Sequence, residues 1–161
     1  MRKDELLQKL AEERVNLLRA IEGLEEGEMT LPGVEGEWSV KDLLGHIAAW
    51  EREARLVAQK IAEEDAPRFD YQIDPRDEWR EWNAREVEER RGLSLSDISE
   101  ELTAEHEKFR EMVERLSEEQ LSRKAIAPWG WETTVEEQIR VQYQHERGHT
   151  KSILEWRARE S

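Results

Sequence analysis

With 161 residues and no cysteine, the chain is about one domain long and cannot be a disulfide-stapled fold, so a reducing cytoplasm is its expected setting. The start, Met1 to Glu5, carries no apolar signal core, and no unbroken apolar run nears the roughly 18 residues of a membrane span, so export and membrane insertion are not expected. Charged residues make up 40% against 37% apolar, which calls for a thin core under an ionic surface, and a formal net charge of -14 argues against a nucleic-acid partner because phosphates would be repelled.

Helical periodicity dominates in chain order. Leu7, Leu10, Leu17, Leu18 and Ile21 recur at three- and four-residue spacing and predict a first amphipathic helix that ends near Gly23 and Gly27. A second helix is predicted to start at Ser39, whose hydroxyl can cap the amide of Asp42, and to bury Val40, Leu43, Leu44, Ile47, Ala54, Val57 and Ile61. The third opens near Ser94 or Ser96 and carries Ile98, Leu102, Phe109, Val113 and Leu116, after which Ser117 with Glu119 and Gln120 predicts a short extra turn. The fourth starts at Thr133 or Thr134 and runs through Val135, Ile139, Ile153 and Trp156 nearly to the end. No stretch alternates well enough to be a strand, so the expectation is an all-α four-helix bundle in a single domain spanning residues 1–161.

Roughly 28 residues, including Pro67 and Pro75, separate the second and third helices, which is too many for a tight hairpin and predicts a segment that crosses the bundle. It carries Trp79, Trp82 and Asn83, with a short helix as one option for them. The last connection bears Pro128 and Trp129-Gly130-Trp131, where glycine can take a turn conformation. These loop tryptophans either plug the ends of a thin core or wall a ligand pocket, and both options stay open here.

The chemistry concentrates in Tyr143-Gln144-His145-Glu146-Arg147-Gly148-His149. Residues four apart share a helix face, so His145 and His149 can reach one ion, and both fall in the arc that holds Val135, Ile153 and Trp156. Gln138 and Gln142 lie in that arc too, where polar groups need partners or an ion. His46 flanks the buried stripe of the second helix, one turn from Trp50. If the second and fourth helices are neighbours, three imidazoles converge inside the bundle. Three neutral imidazoles suit a divalent metal, zinc, nickel or ferrous iron, and leave a coordination position open for water or substrate. Trp50, Trp82, Gln142 and His106 are candidate pocket residues. His106 is either a further ligand or a satisfied core histidine, and Glu53 either orients an imidazole or sits in solvent.

The same run spells H-E-x-x-H, in which zincin proteases use the intervening Glu as general base. The longer form of that signature fails here, because Ser152 and Glu155 stand where its Gly and last His belong, so proteolysis is not expected. Glu146 nevertheless remains a candidate general base on phase alone.

Gly36-Glu37-Trp38-Ser39-Val40-Lys41-Asp42-Leu43-Leu44-Gly45-His46-Ile47, with His145-x-x-x-His149 and Ile153-x-x-Trp156, resembles the DinB-like (YfiT-like) superfamily. The patterns Lys3-Asp4-Glu5-Leu6-Leu7, Pro32-Gly33-Val34, Trp82-Asn83 and the Leu116-to-Leu121 turn look most like its ClbS/DfsB-type subgroup. The resemblance implies an up-down-down-up bundle with a long second crossover and a divalent metal on His46, His145 and His149. The family holds metal-dependent hydrolases, low-molecular-weight-thiol transferases, an isomerase type and a cyclopropane hydrolase, so shared fold leaves the reaction open. The leading expectation is a metal-dependent enzyme acting on a small electrophile with water or an external thiol as nucleophile. Competing ones are a resistance protein that sequesters a small molecule or metal without turnover, and a purely structural bundle. Bundles with a weakly polar face commonly form homodimers, but no interface can be read from the sequence.

Overall fold

The computed structural model describes residues 2–74 and 78–160. Met1, at the start, and Pro75, in the long connection, lie outside the described residues. Four long helices form the bundle: α1 (Arg2–Ile21), α3 (Val40–Glu63), α5 (Leu95–Arg115) and α7 (Val135–Glu160). Between them lie one-turn helices α2 (Glu26–Met29) and α6 (Glu118–Leu121), helix α4 (Glu78–Glu89), and a hairpin of β1 (Lys124–Ile126) and β2 (Glu132–Thr134).

The helix starts follow the predicted chemistry. Ser39 caps α3 by accepting from the Asp42 amide at 3.1 Å while the Asp42 carboxylate accepts from the Ser39 amide at 3.0 Å. Ser94 with Asp97 and Ser117 with Gln120 repeat that reciprocal pair, and Thr134 accepts from the Glu137 amide at 3.0 Å. The hairpin corrects the expectation that the chain holds no strand. Its two antiparallel strands of three residues each are too short to show alternation, and Gly130, at φ 98°, makes the turn between them.

Directions follow from what the helix ends touch. Arg2 at the start of α1 pairs with Glu136 at the start of α7, and Arg157 near the end of α7 donates to the Ala20 carbonyl at the end of α1, so these two run parallel. At the far end of α3, the Ala62 carbonyl accepts from the Arg123 side chain, and the Arg123 carbonyl accepts from the Val135 amide at the start of α7, so α3 runs against α7. The starts of α3 and α5 share Leu44, Ile47, Ile98 and Leu102, so those two are parallel to each other. The order is up-down-down-up, with the connection over α4 carrying the chain back along the bundle. No helix among the described residues is long and apolar enough to cross a membrane.

The core is split. One apolar cluster gathers Leu10, Val57, Ile61, Phe109, Val113 and Ile139, and the other Leu17, Leu43, Ile47, Ile98, Leu102 and Ile153. Between them, every long helix contributes polar side chains at the same level: Glu13 and Arg14 from α1, His46 and Glu51 from α3, Glu105 and His106 from α5, and Gln142, His145, Glu146 and Thr150 from α7. The predicted first stripe needs correcting on this point. Leu18 is 49% exposed, and the buried face of α1 runs Leu6, Leu10, Glu13, Arg14, Leu17 and Ala20. The two buried charges in the middle of α1 belong to this layer.

Candidate metal centre

The segment before α3 is folded so that two side chains flank a histidine. Gly36, at φ 57°, lets the chain turn back, and the Val34 and Trp38 backbones pair at 2.9 Å. The turn leaves Trp38 packed on the His46 ring, centroids 4.9 Å apart, and the Glu35 carboxylate 2.8 Å from Nδ1 of His149. Directly after Trp38, the Ser39 cap starts α3, which carries His46 inward.

His46 from α3 meets His145 and His149 from α7. The Nε2 atoms of His46 and His145 are 3.0 Å apart, as are those of His145 and His149, and the three candidate ligand nitrogens all lie within 4.8 Å of one another. Nitrogens held about 2.0–2.1 Å from one ion stand about 3 Å apart when their bonds make a right angle, so this spacing suits a shared centre. Burial, reinforced by the neighbouring imidazoles, pushes His46 down to about 2; burial and His149 push His145 down to about 3. Both rings are therefore neutral, the form that binds metals. Glu35 accepts from Nδ1 of His149, which frees Nε2 of that ring as a lone pair. Burial raises the Glu35 carboxyl, but hydrogen bonds from His149 and Ser152 outweigh it and the net shift is downward. Three nitrogen lone pairs aimed at one point repel each other unless a cation or protons lie between them. The donor set thus fits a divalent ion.

A cavity of about 240 Å³ opens beside the trio and shares His145 with it. Trp50, Gln142, Trp79 of α4 and the hairpin indoles Trp129 and Trp131 line it. Trp50 donates through Nε1 to Asn83 at 2.6 Å, which pins α4 to α3. The backbone of Ile73 donates to the Pro128 carbonyl, tying the crossover to the hairpin turn that bears Trp129 and Trp131.

Other sequence candidates fall elsewhere. Trp82 packs against Trp50 at a tilt of 47°, centroids 4.4 Å apart, but lines a different hollow with Tyr71 and Glu81. Glu53 accepts from the Tyr71 hydroxyl and pairs with no histidine among the described residues. Glu146 does not point at the three imidazoles. Both its oxygens accept from Arg14, Oε2 from Nε and Oε1 from a terminal nitrogen, each at 3.0 Å, so the carboxylate offered by phase as a general base is held in a buried ion pair. Arg14 also donates to Glu51 at 3.2 Å and to the Leu102 carbonyl at 3.1 Å, and Nδ1 of His106 lies 3.1 Å from the other Glu51 oxygen. Burial raises the Glu146 carboxyl while Arg14 draws it back. His106 thus belongs to this charged cluster. Glu51, His106 and Glu146 also have ligand spacing, but the guanidinium already supplies the cation between the two carboxylates. Arg14, Glu51 and Glu35 were missed from the sequence, because each acts through partners far along the chain.

The model of the DinB superfamily matches residues 9–153. The chain belongs to the DinB superfamily. Among solved structures, this DinB chain is similar to YfiT from Bacillus subtilis, described as a probable metal-dependent hydrolase with an unusual four-helix bundle topology, at 22% identity, TM-score 0.77 and coverage of 98% of this chain and 86% of that one. It is similar to the colibactin self-resistance protein ClbS, solved in complex with a dsDNA, at 15% identity and TM-score 0.80, covering 97% and 95%. The third is DfsB, called a sibling lethal factor precursor, at 14% identity and TM-score 0.79, covering 98% and 96%. These likenesses establish the shared DinB bundle. No curated protein matches the sequence. The ClbS complex corrects one expectation drawn from charge, that no nucleic acid is a partner: a protein with this bundle does engage dsDNA. Net charge averages over the whole surface and says nothing about one local face.

Proposed function

We propose that this DinB protein holds a divalent metal ion on His46, His145 and His149 and presents a small electrophilic molecule to it from the adjoining cavity, for hydrolysis or for transfer to an external thiol. The carrying observation is that His145 belongs to both the imidazole trio and the cavity wall, so a molecule in the cavity lies beside the ligand set. A divalent ion bound there supplies Lewis-acid activation of water or of a thiol as nucleophile. The chain does the rest. Glu35 fixes the tautomer of His149, Trp38 packs the His46 ring in place, and the four indoles keep water from the bound molecule. The sequence has no cysteine, so any thiol comes from outside.

Elemental analysis of the native protein and of the His46→Ala/His145→Ala/His149→Ala variant tests the centre. About one equivalent of zinc, nickel or iron in the first and none in the second is expected, and equal metal in both refutes the assignment. Added metal should raise Tm of the native protein and leave the variant unmoved.

A second reading, protection without turnover, is favoured by the likeness to ClbS, a self-resistance protein. Turnover lost in His145→Ala with binding retained supports catalysis, whereas binding and protection that survive in the triple variant support sequestration. Because ClbS was solved with dsDNA, duplex binding belongs in the same series, measured by anisotropy across a range of salt.

A further inference from the structure

The geometry points to a small organic cation, an amine or quaternary ammonium group with a hydrogen-bond acceptor at its other end, as the molecule this cavity takes. The aromatic wall is the first observation. Trp79 and Trp129 lie nearly parallel, 13° between planes and 6.3 Å between centroids, and Trp131 closes their open side at about 60° to each, 6.0 and 6.5 Å away. A group seated over the triangle of these rings is within the roughly 6 Å at which an indole face attracts a positive charge. Neutral apolar ligands gain from such a wall as well, so the aromatics alone do not set the charge.

Glu137 sets it. Its side chain lines the same cavity, is half-buried, and forms no ion pair or side-chain hydrogen bond among the described residues. The neighbouring carboxylate Glu136 is paired with Arg2 and Arg140, which makes the solitary state of Glu137 distinctive. An anion beside three indole faces, in a protein of net charge -14, favours a cation and disfavours an anionic ligand.

Gln142 supplies the opposite end. It is 3% exposed and lines the cavity, and its Nε2 is buried without an acceptor among the described residues, a costly state in a finished core. A carbonyl or hydroxyl oxygen of the ligand satisfies it. Glu137, Val141 and His145 are spaced by four along α7, so Glu137 stands two turns, about 12 Å of helix rise, from His145, and Gln142 is one turn from it. A molecule with its positive group at the indole triangle therefore directs its acceptor end toward Gln142 and the imidazoles.

This assignment rests on the proposed function only in the claim that the bound molecule reacts; the cation preference stands without metal. Calorimetric titration of the whole protein with choline and with its neutral isostere 3,3-dimethyl-1-butanol tests it. Choline is expected to bind at least tenfold more tightly, Glu137→Gln to remove most of that preference while leaving the alcohol unchanged, and Trp131→Ala to weaken choline severalfold. Trp131 is 45% exposed, so that variant keeps its core. The same preference is expected after chelation and in the triple histidine variant. Equal affinity for the two probes, a preference untouched by Glu137→Gln, or no heat from either probe at millimolar concentration overturns the inference. Metal without cation preference refutes this inference alone, and cation preference without metal refutes the proposed centre alone.

Discussion

Replacing Arg14 by methionine isolates the charged layer between the two halves of the core. In the native protein the guanidinium supplies both oxygens of Glu146, one oxygen of Glu51 and the Leu102 carbonyl, and both carboxylates are essentially sealed, at 2% and 0% exposed. Methionine fills much of the arginine's volume but donates nothing, so two carboxylates and a carbonyl are stranded. Removing one partner of a buried ion pair costs about 3–5 kcal/mol. For a chain of this length that lowers Tm by about 2–4 °C per kcal/mol, some 6–20 °C in all, against a total stability on the order of 5–15 kcal/mol. Urea unfolding followed by circular dichroism reads the loss as a lower midpoint at unchanged slope. Stranded carboxylates raise their pKa, so the loss grows as pH rises through the ordinary carboxylate range. Adding Glu51→Gln and Glu146→Gln to Arg14→Met removes the buried charge and should recover at least half of the stability. A single variant that loses less than about 1 kcal/mol at neutral pH refutes the reasoning, because the layer must then be open to water or already protonated.

Glu35→Gln keeps the shape beside His149 but weakens the acceptor, and should reduce metal affinity about 10- to 100-fold in competition with an indicator chelator; unchanged affinity removes Glu35 from the site. In metal-free protein, His46 and His145 titrate near 2 and 3 when folded and near 6.5 when unfolded. The unfolded chain therefore takes up protons that the folded chain refuses, and stability falls as pH drops from about 6.5 toward 3. The two rings together cost about 4 kcal/mol between pH 7 and pH 5. His46→Ala/His145→Ala should flatten that slope, and equal slopes in the two proteins contradict the burial account. Ser39→Ala breaks the reciprocal cap of α3 and should cost about 1 kcal/mol by thermal unfolding, whereas a loss below a few tenths shows that packing alone sets the helix start.

What the sequence disclosed was whatever is written locally. Ser39, Ser94 and Thr134 start helices because a capping side chain and its amide are three residues apart, a distance any reader of the chain can see. His145 and His149 share a face for the same reason, and the meeting with His46 followed only on the condition that α3 and α7 are neighbours. Arg14 and Glu51 were opaque, since their partners stand 132 and 37 residues away and a charge inside an apolar stripe reads as an outward face. Glu146 shows the limit of phase arguments: adjacent to a predicted ligand on α7, it is turned by one helical step toward a different partner. Trp82 and His106 have the residue types of a pocket but lie in a separate hollow and in the charged cluster, and the three-residue strands around Trp129 are too brief to carry a period.

Because α3 and α5 point the same way, the polypeptide has no short route from one to the other and must travel back along about 36 Å of helix. That return journey is imposed by topology, yet it contributes few of the side chains that hold the four long rods together. Here it delivers Trp79 to the rim of the cavity, while His46, His145 and His149 stay on the rods themselves. One aromatic wall of the cavity is thereby carried by the crossover, whereas Glu137, Gln142 and the three imidazoles all stand on the long helices. A substitution at Trp79 therefore reshapes that wall without touching the helices that bear His46, His145 and His149.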